Sequence, residues 1–282
     1  MFLNCLEQLL RRKIVLTALA ATVLFLGLYW WGVSSASAAE LDPGPGRHYE
    51  QTGMFTKADA ALAAIITAGP LAATLVTALM IVIGSTLMPE EIAQGRMPMW
   101  LSLPQSRLRV YLASGLAPLV LCYLLAVVLF GGVFAITKIY FPFKPTNVFM
   151  SLVSMLAWLA VVWSSVIFLS LTVKKVASML ITFFLAAVSS LFGGLHEIMQ
   201  LFPGDAPEAL VTVTNTVLYI FPADRGYRGV VYGLIPSDAT ITENLAFFGV
   251  SARVPYLQLA YALLWSCIFI LLGYLRFRRK DF

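Results

Sequence analysis

Residues 110–137 carry no charge, and five other long apolar runs share that property: residues 14–33, 60–88, 147–173, 176–195 and 255–275. A helix rises 1.5 Å per residue, so about 20 such residues cover the roughly 30 Å hydrocarbon core of a bilayer. Backbone amides in lipid must find partners inside their own segment, which leaves the helix as the spanning form for isolated runs. Charged residues make up only 12% of the chain and mean hydropathy is +0.86. A soluble domain carries about twice that share of charge. The expected fold is an all-α integral membrane protein, a single transmembrane domain of six helices over residues 1–282.

Lysine and arginine placement orients the spans. With both termini on one side, that side holds Arg11, Arg12, Lys13, Arg96, Arg107, Arg109, Lys174, Lys175, Arg276, Arg278, Arg279 and Lys280. The other side holds Arg47, Lys57, Lys138, Lys144, Arg225, Arg228 and Arg253. The richer side is cytoplasmic by the positive-inside bias, giving both ends inside. The net charge of +5 does not point to nucleic acid, because the cations flank apolar runs and form no continuous face.

Around the spans the chain reads as follows. Residues 1–13 place Leu3, Leu6, Leu9 and Leu10 on one helical side and end in basic residues, an expected interfacial helix against membrane lipid. The small residues after the first span resemble a signal cleavage site, with Ala39 or Glu40 as the new first residue. The apolar run exceeds a usual signal core, so a retained first span is preferred. Gly69-Pro70 marks a kink in the second span. Residues 196–254 form an extracytoplasmic segment, whose apolar piece, residues 209–221, is too short to span and suits a re-entrant or interfacial helix. Cys5, Cys122 and Cys267 show no disulfide or metal-site spacing.

Enzymatic signatures fail on spacing. His196-Glu197 opens an H-E-x-x-H pattern, but Gln200 stands where the second zinc ligand belongs, and the only other histidine is His48. Glu90-Glu91 nearly matches the E-E-x-x-x-R of membrane prenyl-protein proteases, with Gly95 at the arginine position. No catalytic, metal or cofactor residue is expected. His196 and Glu197 stand as a candidate outer gate, since ionisable groups at a membrane boundary often meet substrate. No G-x-x-x-x-G-K-[ST] occurs, so any ATP that drives the chain sits on another polypeptide.

The richest polar stretch is the connector over residues 89–109, between the second and third runs. It crowds Met97, Met99, Trp100 and Leu101 into a loop, where apolar clusters usually have a partner. The order Glu90-Glu91, Gly95, Leu101-Ser102-Leu103-Pro104 and Ser106-Arg107 resembles the permease subunits of ABC-2 type transporters. The basic start and the tail Arg278-Arg279-Lys280-Asp281 agree with that family. Pro222-Ala223-Asp224 with Tyr227-Arg228 is similar to a segment in the branch linked to copper-enzyme maturation. The chain departs from the family at Arg96, where threonine is frequent, and at Ser114, where lysine is.

The resemblance implies a permease in the plasma (inner) membrane that pairs with a second permease copy and couples to a cytoplasmic ATP-binding subunit, ATP staying on that partner. The connector then forms a short coupling helix. Met97, Met99, Trp100 and Leu103 anchor it, Glu90, Glu91, Arg96 and Arg107 supply its charged rim, and Gly95 and Pro104 belong to the same coupling set. A scaffold or assembly factor that recruits a cytoplasmic partner without ATP is the alternative.

Overall fold

The computed structural model describes residues 13–41, 57–95, 106–201, 207–237 and 255–279. Its elements are helices: α1 (Lys13–Leu41), α2 (Lys57–Ala93), α3 (Arg107–Tyr140), α4 (Val148–Thr172), α5 (Lys175–Leu201), α6 (Glu208–Ile220), α7 (Ala223–Leu234) and α8 (Tyr256–Arg278). Among the described residues, six helices are long and apolar enough to cross a membrane, all but α6 and α7. The chain is a multi-pass membrane protein. The expected interfacial helix lies outside the described residues apart from Lys13, as do Arg96, Met97, Met99, Trp100, Leu103 and Pro104 of the connector.

The helices do not stop where the apolar runs stop. α5 continues past Leu195, so His196 and Glu197 sit in its last turns; no glycine or proline follows Leu195 to break it before Leu201. α2 runs unbroken through Gly69-Pro70 and again through Pro89. Proline at position 70 deprives the Ile66 carbonyl of its helical donor.

The bundle is organised around α4. Of its apolar stretch 72% is buried, against 17% for α1 and 22% for α5 and α8. α2, α3, α5, α7 and α8 all pack on it. Lipid offers helices no hydrophobic drive to associate, so close fit and hydrogen bonds must hold them. Trp163 Nε1 donates to the Gly115 carbonyl at 2.7 Å. A Cβ at Gly115 would press on the Trp163 ring at 3.1 Å, and one at Gly84 would clash with Val166 at 2.7 Å. Large residues on α4 thus fill spaces left by glycines on its neighbours. α1, the least buried, is held to α3 by a 2.6 Å hydrogen bond shared by Tyr29 and Thr137, and by Trp30 Nε1 donating to the Tyr140 hydroxyl at 2.8 Å.

The two short helices form a hairpin. The apolar piece over residues 209–221 becomes α6, and the chain turns at Phe221-Pro222 into α7. That turn lies against the middle of α5. Ser189 Oγ donates to the Phe221 carbonyl at 2.8 Å and accepts from the Asp224 amide at 3.3 Å. The far end of α7 is clamped to the α3–α4 link. Thr146 N donates to the Ile235 carbonyl at 2.9 Å, Asn147 N to the Gly233 carbonyl at 3.0 Å, and Ser237 N to the Lys144 carbonyl at 2.9 Å. The hairpin therefore enters from the end of the bundle where α4 begins and turns back at half its height.

Candidate functional site

α7 is seated so deeply because its contact face has almost no side chains. A Cβ at Gly226 would fall 2.8 Å from the backbone of Trp158, and one at Gly233 would fall 2.5 Å from the Asn147 carbonyl oxygen. Backbone meets backbone along this face, and Ser151 Oγ donates across it to the Val230 carbonyl at 2.9 Å. Such closeness is the usual way small residues hold helices together in a membrane.

Deep seating brings charge into the interior. Asp224, Glu197 and Arg228 are 4%, 5% and 9% exposed. Asp224 and Arg228 stand one helical turn apart, with Arg228 Nε donating to Asp224 Oδ2 at 2.5 Å. Arg228 Nη1 lies 3.4 Å from Glu197 Oε1 on α5, tying the hairpin to that span through charge. The Arg228 guanidinium on α7 is what makes the buried Asp224 carboxylate tolerable, since an unpaired interior charge is costly. Space for the carboxylate comes from Gly193 of α5, where any Cβ would overlap it. Among the described residues, no hydrogen-bond partner reaches the other carboxylate oxygen, Asp224 Oδ1, which is buried.

Asp224 also borders a half-open groove of about 360 Å³ between α2, α4, α5 and α7, with Phe183 and Leu191 exposed on its rim. Trp158, Tyr227 and Phe183 contribute aromatic surface, and Ala73, Ala186, Ala187 and Ala223 keep the space open. The Trp158 and Tyr227 ring centroids are 6.0 Å apart. An apolar chamber with a few polar groups is the general form of a small-molecule site.

The connector's flanks gather at the other end of the bundle. Gly95 ends α2 with φ +67°, a left-handed conformation that favours glycine, and its amide donates to the Ile92 carbonyl at 3.1 Å. Lys175 Nζ donates to Glu90 Oε1 at 2.8 Å, so the start of the connector is tied to the α4–α5 turn. Glu91 is buried, at 2% exposure. Ser106 caps α3 by accepting from the Arg109 amide at 3.3 Å, and Arg107 Nη1 donates to the Arg278 carbonyl at 2.9 Å. Glu90, Gly95 and Arg107 thus share one end with the α4–α5 turn and the close of α8. His196 and Glu197 lie far from them, beside α7.

Compared with protein-family models and with curated proteins, the chain matches none. Its own residues must carry the functional reading. Sequence reasoning marked Glu197 as a candidate gate and Asp224 and Arg228 only for a family resemblance; it did not join them, although opposite charges at i and i+4 were visible. Gly193 left no such signal, because its role exists only once Asp224 is placed beside it.

Proposed function

We propose that the chain is the permease subunit of an ABC-2 type transporter. It forms the membrane path together with a second permease copy and takes its energy from a separate cytoplasmic ATPase subunit. The observation that supports this reading is the convergence of the connector flanks, the α4–α5 turn and the end of α8 at one basic end of the bundle. Lys175 bound to Glu90 and Arg107 bound to the Arg278 carbonyl tie these pieces together. A force applied to the connector over residues 89–109 is then delivered to α2 and α3 and, through Glu90–Lys175, to α5. Of these, α2 and α5 line the aromatic groove and pack on α7, so movement at the basic end reaches the candidate path.

In this reading Met97, Met99 and Trp100 sit in a groove of the ATPase, and Arg96, Leu103 and Pro104 complete the contact. The experiment is purification of the tagged chain from its own cells in mild detergent. A P-loop ATPase accompanies the wild type, and the purified chain freed of it hydrolyses no ATP. Replacing Met99 and Trp100 together by aspartate removes the ATPase from the preparation. Retention of the ATPase by a chain with the connector deleted would refute the coupling role. A partner that lacks a P-loop would favour the scaffold reading instead.

A further inference from the structure

We propose that the basic end of the bundle, where α3 begins and α8 ends, is a binding surface for an anionic phospholipid, its phosphate on the arginines and an acyl chain along α8. The inference goes beyond the permease reading and does not depend on it. It rests on how the two helix ends are joined, on the charge gathered there and on the apolar face beside it.

Tyr111 locks the first turns of α3 to the last turns of α8. Its buried ring has its centroid 5.8 Å from that of Tyr274 and 5.5 Å from that of Phe277. Its hydroxyl donates to the Ile270 carbonyl at 3.1 Å. Gly273 gives the room, since a Cβ there would fall 2.5 Å from the Tyr111 hydroxyl. One turn before Tyr111, Arg107 Nη1 donates to the Arg278 carbonyl at 2.9 Å. That bond brings Arg107 to the turn carrying Arg276, Arg278 and Arg279, with Arg109 two residues further along α3. All five are exposed.

The charge at this junction is not balanced among the described residues, where no carboxylate forms an ion pair with any of the five. Glu90 and Glu91 close α2 at the same end of the bundle, but Lys175 holds Glu90 and Glu91 is buried. Over residues 276–282 of the sequence, Asp281 stands alone against Arg276, Arg278, Arg279 and Lys280. A guanidinium offers a planar fork of donors that matches two phosphate oxygens. Cations clustered at a membrane surface favour lipids of net negative charge over zwitterionic ones, whose own ammonium is repelled.

The leucines beside the cluster put the ligand in the bilayer. Residues 256–275 are uncharged, about 20 residues or roughly 30 Å of helix, so Arg276 falls where hydrocarbon gives way to headgroups. Leu271, Leu272 and Leu275 are exposed over the turns just before it, and Leu108 is exposed between Arg107 and Arg109. An acyl chain covers the α8 leucines while its phosphate meets the arginines. An acidic protein segment would satisfy the arginines and leave the leucines bare, so a lipid is the better fit.

The test uses the full chain in detergent micelles. Dioleoylphosphatidylglycerol and dioleoylphosphatidylcholine are titrated separately, and lipid-bound chains are counted by native mass spectrometry. The first phosphatidylglycerol is expected to bind about tenfold more tightly than phosphatidylcholine. Arg276→Gln with Arg279→Gln, both exposed and outside the Tyr111 contact, is expected to bring that preference to within about twofold. Lys138→Gln with Lys144→Gln removes the same charge from exposed positions at the other end of the bundle and leaves the preference unchanged. Glycerophosphoglycerol, the same headgroup without chains, does not compete at millimolar concentration. Equal binding of the two lipids would overturn the selection of charge. Equal loss in the two double variants, or a preference that survives in Arg276→Gln with Arg279→Gln, would overturn the site. Competition by glycerophosphoglycerol would overturn the assignment to a lipid. An acidic protein that co-purifies with the wild type and is lost from the arginine variant, with no lipid preference in either, would give the surface to that protein instead.

Discussion

Gly193 and Gly194 are neighbours in α5 with opposite surroundings, and they show how far a single position can be decided by what faces it. A Cβ at Gly193 would overlap the Asp224 carboxylate, whereas one at Gly194 meets nothing within 4 Å. Gly193→Ala is expected to destabilise the protein by about 1–3 kcal/mol through overpacking. Gly194→Ala is expected to be neutral or stabilising by about 0.5–1 kcal/mol, because alanine loses less freedom in a helix. Thermal unfolding of the two variants in the same detergent checks the contrast, and equal midpoints would contradict the placement of Asp224. Arg228 is the second decisive residue, since it holds two buried carboxylates at once. Arg228→Met removes the guanidinium that both carboxylates contact and is expected to cost about 3–5 kcal/mol, read as a lowered unfolding midpoint. Arg228→Lys is expected to fall between, because an ammonium cannot reproduce the fork that reaches Asp224 and Glu197 together.

At the scale of elements, α5 is built inside out for a membrane helix. Val176, Leu180, Phe184 and Leu191 are exposed along one side, while Ser178, Thr182, Ser189 and Glu197 are buried along the other. Its polar seam is what receives the hairpin, through Ser189 at the turn and Glu197 above it. The other end of α5 meets α2 through Lys175 and Glu90, whose side chains are 41% and 33% exposed. A pair so solvated contributes at most about 1 kcal/mol to stability, so its value lies in linkage. Glu90→Lys or Lys175→Glu alone is expected to leave the unfolding midpoint within a degree or two and, on the proposed permease reading, to lower stimulated ATP hydrolysis by the proposed ATPase partner several-fold. The double exchange, Glu90→Lys with Lys175→Glu, is expected to restore it. Full activity in both single variants would show that the pair transmits nothing.

For the whole molecule, the proposed orientation makes a direct statement about access. In an otherwise cysteine-free chain, a cysteine at Lys144 or Ser237 should react with a membrane-impermeant maleimide in intact cells. A cysteine at Lys174 should react only after the cells are opened. The reverse pattern would invert the topology and move the connector away from any cytoplasmic partner.

The six long helices could be read from the sequence because burying a backbone in lipid is a local problem. Each run must satisfy its own amides, and an uncharged stretch of sufficient length has one good answer. The short length of residues 209–221 likewise separated α6 from the spans. What only the tertiary structure decided is where the interior charges go. Glu197, Asp224 and Arg228 come from α5 and α7, with α6 between them in the chain, and their meeting depends on Gly193, Gly226 and Gly233 admitting α7 to the middle of the bundle. The groove between α2, α4, α5 and α7 follows from that same insertion. Apolar length is a property of one segment, whereas a buried charge is tolerated only through partners that other segments bring to it.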